Sequence, residues 1–295
     1  MSKIAFYIMN SKGFYVLKKF IEKFGSENIE YIVSSEDKNL KKDYFKEIKE
    51  LANLNKISFF NRFDNFFEIE KSFCSYKFAI GWRWIIANSS NLIVFHDSLL
   101  PKYRGFAPLV NTLINGDNKG GVTALFASDE YDKGDIIAQK SFEIKYPIKI
   151  ESAIKQIEPL YFELVDEIYN QIKDNNKLQA QKQDEDSATY SLWLDNEDYF
   201  IDWSWSADKI KRFVDAVGYP YDNAKAHLNG KIVKFVDVEI AGDVKIENRK
   251  RHIGKVIFIK DGYPIIVCKK GLLKLIDIRD EKNNKLMINF RSKFL

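Results

Sequence analysis

The 295-residue chain is 45% hydrophobic and 30% charged with a formal net charge of +4, an ordinary globular composition. No run approaches the ~18–20 apolar residues of a membrane span. Residues 1–9 are too short an apolar run for a signal peptide, and the distant Cys74 and Cys268 give neither a metal spacing nor a disulfide framework. A cytoplasmic protein with one large and one small domain is therefore expected.

Residues 3–9 read as a first strand feeding Asn10-Ser11-Lys12-Gly13. One glycine is too few for the dinucleotide fingerprint, which argues against an NAD site. The turn is either a tight strand-to-helix connection or a loop whose Asn10 and Ser11 approach a ligand's phosphates or sugar beside a helix N-terminus. A helix is predicted over 14–24, stopped by Gly25, then a strand over 29–33 and an amphipathic helix over 38–54. A strand over 57–60, a short helix over 66–73 and a strand over 78–82 follow. Strands alternating with helices predict an α/β, Rossmann-like doubly wound mixed sheet. Trp82-Arg83-Trp84-Ile85-Ile86 reads as an apolar loop or short helix.

The buried strand Leu92-Ile93-Val94-Phe95 delivers His96, the only histidine in the first 200 residues, to a strand's carboxyl end. Open α/β sheets collect ligands there. A lone histidine is as often a satisfied core residue as a site residue. The acidic loop 129–135, between β-like runs over 121–127 and 136–144, is a second signal that favours a site. Lys102 and Arg104 in the histidine loop are either a phosphate clamp or two surface cations. A helix over 108–114 and a long core helix over 154–172 frame this block.

Residues 173–189, rich in Lys, Asn, Gln and Asp, form the expected linker. A helix from Ser206 carries Lys211 and Arg212 and leads to Gly218-Tyr219-Pro220-Tyr221. Runs over 230–238, 253–259, 263–268 and 271–279 predict a smaller β-rich C-terminal domain. The expected boundaries are 1–180 for the catalytic domain, 181–223 for a linker and helix, and 224–295 for the β-rich domain. Residues 225–295 hold 17 Lys+Arg against 8 Asp+Glu. A solvated basic face is favoured over a nucleic-acid contact, since 248–252 carries no recognition motif.

His96-x-Ser98-Leu99-Leu100-Pro101-x-Tyr103-Arg104-Gly105, with Gly121-Val122-Thr123, Asp132-x-Gly134-x-Ile136 and Gln139, resembles the folate-dependent formyltransferases over about 77–140. Tyr190-Ser191-Leu192-Trp193, the stretch 197–204 and Gly218-Tyr219-Pro220-Tyr221 are similar to the sugar N-formyltransferase branch. The resemblance implies N10-formyltetrahydrofolate as formyl donor and the amine of a dTDP-linked 3- or 4-amino-dideoxyhexose as acceptor, for O-antigen or related surface polysaccharide. It places His96 beside the formyl group and makes Asp132 the acceptor or relay of the amine proton, as acyl-type transfer near pH 7 needs. Trp82, Trp84, Ile86, Ser98, Leu99 and Asp129 are the implied folate contacts.

Asn10, Ser11, Lys102, Arg104, Arg212, Tyr219 and Tyr221 are the implied acceptor contacts. The two tyrosines either stack on the base or pack a domain junction. The resemblance further implies a homodimer, no metal, no membrane and no nucleic-acid partner. Two alternatives stand: methionyl-tRNA formyltransferase, and a non-catalytic ligand-binding member. One departure bears on both. The family's active-site asparagine, two residues before the histidine, is Val94 here, so another amide or backbone donor replaces it or the subgroup works without it.

Overall fold

Strand β1 (Ile4–Ile8) is buried along its whole length and sits mid-sheet, so its alternate side chains feed two different cores. Ala5 and Tyr7 join Tyr31, Val33, Ala79, Ile86 and Leu92 on one face. Phe6 points the other way and meets Phe20 edge-on at 5.2 Å and Phe78 at 5.9 Å. The computed structural model describes residues 3–64, 74, 76–86, 90–174 and 176–295. The helix expected over 66–73 lies outside the described residues.

The described chain forms two compact units. The first comprises Met1–Leu109, Asn118–Ile144 and Ala153–Leu192. Its elements are β1, helix α1 (Asn10–Phe24), β2 (Ile29–Ser34), α2 (Phe45–Leu54), β3 (Ser58–Asn61), β4 (Tyr76–Ile80), β5 (Leu92–His96) and the short β6 (Arg104–Gly105). Next in the chain is helix α3 (Pro108–Asn115), whose residues from Val110 belong to the second unit; β7 (Lys119–Phe126), β8 (Ile136–Glu143), helix α4 (Ile150–Lys173, in the first unit from Ala153) and β9 (Tyr190–Ser191) follow. The seven-stranded sheet runs β3-β2-β1-β4-β5-β7-β8. Its first five strands are parallel and its last two pairings antiparallel. This is the expected Rossmann-like mixed sheet. The buried stripe of α4, including Tyr161, Leu164, Val165, Ile168 and Tyr169, meets α1 through Phe20 and Tyr169, 4.8 Å apart.

Two helix boundaries depart from expectation. Helix α2 starts at Phe45 rather than near 38, because Asp43 accepts from Phe45 N at 3.1 Å and Asp37 N at 3.0 Å. Tyr44 there is left-handed at φ 62°, so the preceding turn cannot be helical. Helix α1 starts at Asn10, earlier than predicted, and takes the ligand-loop residues Asn10 and Ser11 into its first turn.

The second unit comprises Val110–Asp117, Lys145–Ser152 and Trp193–Leu295. It is built on helix α5 (Ala207–Ala216) and the antiparallel strands β10 (Ala224–Leu228), β11 (Lys231–Ala241), β12 (Val256–Lys260), β13 (Tyr263–Val267) and β14 (Leu272–Asp280), in the order β10-β11-β14-β13-β12. Alternating residues such as Val233 and Phe235 of β11, with Leu273, Leu275 and Phe294, are buried. The β-rich C-terminal domain is thus present, but the units do not divide near 180 and 223: residues 181–192 go with the first and 193–223 with the second.

Candidate active site

Strand β5 ends on His96, and the alternation of side chains decides what surrounds it. Phe95 and the following Asp97 face the helices: Phe95 lies 6.4 Å from the Tyr161 ring of α4. Asp97 is held there by the Lys12 ammonium of α1 and the Tyr161 hydroxyl. Burial raises this carboxyl, yet the Lys12 charge and the hydrogen bonds from Lys12 and Tyr161 outweigh it and hold Asp97 below the usual carboxylate range. His96 turns the other way, on the side of Val94, and is 7% exposed.

Both imidazole nitrogens are engaged. Nε2 lies 2.7 Å from the Tyr103 carbonyl, an acceptor only, so Nε2 carries a hydrogen and donates it. Nδ1 lies 3.4 Å from Asp132 Oδ1. The other carboxylate oxygen, Asp132 Oδ2, accepts from Gly105 N at 2.8 Å. With Nε2 carrying one hydrogen, a second proton taken up at Nδ1 faces the carboxylate across 3.4 Å, which is the arrangement a proton relay needs. Tyr103 and Asp132 both sit in the left-handed region, at φ 60° and 56°. Such strain persists where surrounding contacts over-determine the backbone.

The Asp132 loop leaves no room for a side chain at Gly134, where a Cβ would lie 1.7 Å from the Phe126 carbonyl oxygen. On the facing side Gly105 pairs with Ser191 in the β6–β9 ladder. Residues 173–189 have the composition of a linker, yet part of the segment packs into this site: Gln181 exchanges hydrogen bonds with Ile136 at 2.8 and 2.9 Å, and Thr189 Oγ1 accepts from Tyr103 N at 2.9 Å. Gln183 donates to the Asp132 and Gly134 carbonyls at 2.6 and 2.8 Å.

Arg104 requires a correction. Proposed as an acceptor contact, it is fully buried and all its donors are used within the first unit. Nε and Nη2 bond Gln183 Oε1, Nη1 and Nη2 grip Glu185, and Nη1 also reaches the Tyr190 hydroxyl. These are the five N–H groups a guanidinium has, so none is left for a phosphate. The Glu185 hydrogen bonds push the Arg104 pKa upward and hold the Glu185 carboxyl below its usual range. Ser98, an expected folate contact, is buried and its hydroxyl donates to the Lys102 carbonyl at 2.7 Å, shaping the loop.

The other expected folate contacts cluster after β4. Trp82 meets Tyr7 at 5.3 Å and Trp84 at 5.2 Å, and the Arg62 guanidinium lies 4.0 Å from the Trp84 ring. Ile85 is 78% exposed while Ile86 is buried, and Trp82 Nε1 has no hydrogen-bond partner among the described residues. Leu99 packs against Gly121, and Asp129 is exposed. Asn10 folds its amide over Gly81, where a Cβ would come within 2.4 Å of Nδ2. Ser11 is half-buried and Lys102 exposed.

Val94 is an apolar position packed against Leu100, Leu125 and Ile136. Gln139 is not its replacement, since both Gln139 N–H donors are used, on the Leu100 carbonyl at 2.9 Å and Thr123 Oγ1 at 2.8 Å. Arg212, Tyr219 and Tyr221 belong to the second unit. There Arg212 Nε donates to the Ile114 carbonyl at 3.1 Å, closing the end of α3, and Tyr219 is exposed. Among the described residues no cluster of metal-ligating side chains occurs, and no helix is long and apolar enough to cross a membrane.

Two domain models match the chain: Formyl transferase over residues 74–159 and Formyl transferase, C-terminal domain, over residues 194–292. The chain belongs to the formyl transferase family. Among its formyl transferase relatives, methionyl-tRNA formyltransferase of Fusobacterium nucleatum is 31% identical over 196 residues, 66% of this chain and 62% of that protein. The chain spans about three fifths of the length of the curated relatives it matches. The N-formyltransferase of Helicobacter canadensis, solved with folinic acid and dTDP-3-aminofucose, superposes with a TM-score of 0.70 at 18% identity over 93% of this chain and 99% of that one. WlaRD, a sugar 3N-formyl transferase solved with dTDP and 5-N-formyl-THF, gives 0.66 at 19% identity over 100% and 98%. These likenesses show a shared fold.

Proposed function

We propose that this formyl transferase family member moves a formyl group from N10-formyltetrahydrofolate to the amine of a dTDP-linked 3- or 4-amino-dideoxyhexose. The observation that carries the reading is the His96–Asp132 pair, with Nδ1 and Oδ1 3.4 Å apart at the carboxyl end of β5. The acceptor nitrogen attacks the formyl carbon, a new C–N bond forms and the bond to the folate nitrogen breaks. The proton released by the attacking amine goes to the imidazole–carboxylate pair, and a proton is returned to the folate nitrogen as it leaves. His96 holds and moves that proton, and Asp132 orients the ring and stabilises the imidazolium.

The loop after β4, with exposed Ile85 and an unpaired Trp82 Nε1, suits a heteroaromatic ring with acceptor atoms, which supports it as the folate contact. Tyr219 and Tyr221 are the proposed base-stacking residues. The sugar-nucleotide reading draws on the Tyr190–Trp193 and Gly218–Tyr221 segments and on the ligands named for the Helicobacter canadensis enzyme. A second reading, methionyl-tRNA formyltransferase, is favoured by the 31% identity to the Fusobacterium nucleatum protein.

The test incubates the purified protein with N10-formyltetrahydrofolate and either dTDP-3- or dTDP-4-amino sugars or charged initiator tRNA. The acceptor that gains one formyl group by mass spectrometry is the substrate. Formylation of the tRNA alone would replace the sugar reading, and formylation of neither would leave the non-catalytic alternative.

A further inference from the structure

We propose that Gln183 is a positioning residue for the reaction: it holds the Asp132 carboxylate against His96 by clamping the backbone of the Asp132 loop to the buried Arg104. The inference rests on the His96–Asp132 reading and adds to it a residue outside the matched motif, in a segment with the composition of a linker.

Gln183 uses its whole hydrogen-bonding capacity. Its two N–H groups donate to the carbonyls of Asp132 at 2.6 Å and Gly134 at 2.8 Å. Its Oε1 accepts from Arg104 Nε at 3.1 Å and Nη2 at 2.9 Å. An amide satisfied on all four sites has one orientation. Arg104 is in turn gripped by Glu185, and its own backbone N donates to the Thr189 carbonyl at 2.8 Å. Gly105, the next residue, supplies the N–H that Asp132 Oδ2 accepts at 2.8 Å.

Asp132 is therefore held twice from one brace, at its side chain through Gly105 and at its backbone through Gln183. The same brace reaches His96, because the Tyr103 carbonyl that accepts from Nε2 also accepts from Ser191 Oγ at 3.4 Å. Asp132 needs the hold, since its left-handed φ of 56° is a conformation a free loop leaves. Without it the carboxylate is free to drift, and a displacement of about 1 Å costs on the order of 10²-fold in rate.

The test uses Gln183→Met, which keeps the length and adds no charge, in the full chain. The chain has only 3 histidines, so the His96 Cε1–H resonance can be assigned with His96→Gln and followed against pH. The charged groups near the pair are Asp132, Asp97 with Lys12 behind it, and Arg104 with Glu185; the substitution changes no charge, although it removes the acceptor for Arg104 Nε and one Nη2 hydrogen. The expected result is that Gln183→Met moves the His96 titration midpoint in the same direction as Asp132→Asn does. With the formylated acceptor as readout, kcat falls by about 10²-fold with KM for the formyl donor unchanged. Adding Gln183→Met to Asp132→Asn then lowers kcat no further.

A wild-type midpoint in folded Gln183→Met, or an equal extra loss of kcat in the Asp132→Asn background, overturns the proposal, because a merely structural role behaves that way. If Asp132→Asn itself leaves the midpoint in place, the pair is uncoupled and the functional reading falls together with the brace. Gln183→Glu keeps the acceptor for Arg104 while removing the donors to the loop. It gives the kinetic part of the answer should Gln183→Met fold poorly, with full kcat again overturning the proposal.

Discussion

The Asp97 carboxylate and the Lys12 ammonium meet in the interior one residue beyond His96, with side chains 14% and 12% exposed. The pair ties the first turn of α1 to the end of β5 and, through the Tyr161 hydroxyl, to α4. Breaking one side of it strands a buried charge. Lys12→Met is expected to cost about 3–5 kcal/mol, read from urea unfolding, whereas the double change Lys12→Met with Asp97→Leu should recover much of the loss. Equal stability of wild type and Lys12→Met would show that water screens the pair.

The same carboxylate gives an acid limb of known sign. Asp97 is held below its ordinary value in the folded state, so its stabilisation is complete above about pH 3.9, the unfolded value, and is lost as pH falls through the lower folded value. Unfolding free energy measured from pH 5 downward should fall less steeply in Asp97→Asn than in the wild type. Parallel curves would contradict this.

His96→Ala and Asp132→Asn should each lower turnover by roughly 10²–10⁴-fold with native circular dichroism, since each removes half of a positioned acid–base pair. Near-normal turnover in either folded variant would remove that residue from the chemistry.

Arg104→Lys separates the observed role from the expected one. A lysine has three donors and no planar fork, so it cannot satisfy Gln183 and Glu185 together. The melting midpoint should drop by several degrees while KM for a phosphate-bearing acceptor stays put. A raised KM with an unchanged melting midpoint would restore a phosphate contact.

Cys268 is fully buried, and that burial pushes its thiol up to about 12. Iodoacetamide at pH 8 should leave it unmodified in the native protein and label it in urea, as read by peptide mass spectrometry. Native labelling would mean that the second unit opens around β13.

Much of the scaffold was legible because its signals are local. The apolar run 92–95, the stripe of α4 and the paired runs around 119–143 follow from side-chain period alone. What escaped depended on side chains acting on distant backbone. Asp43 reset the start of α2, and Arg104 and Gly105 made a strand of two residues only because 190–191 came to lie beside them. Composition marked 173–189 as a linker, since a polar segment that is satisfied by partners reads the same as one satisfied by water.

The amino-acid order by itself determined that a histidine leaves the carboxyl end of a buried strand of an α/β sheet, with an acidic loop and a matched motif around it. Only the folded chain decided which carboxylate meets which cation. Asp132 went to His96, Asp97 to Lys12, and Arg104 to Glu185 instead of to a phosphate. The physical reason is that periodicity and turn chemistry act over a few residues, whereas a buried charge or amide takes whichever partner the packing of remote elements brings within about 3 Å.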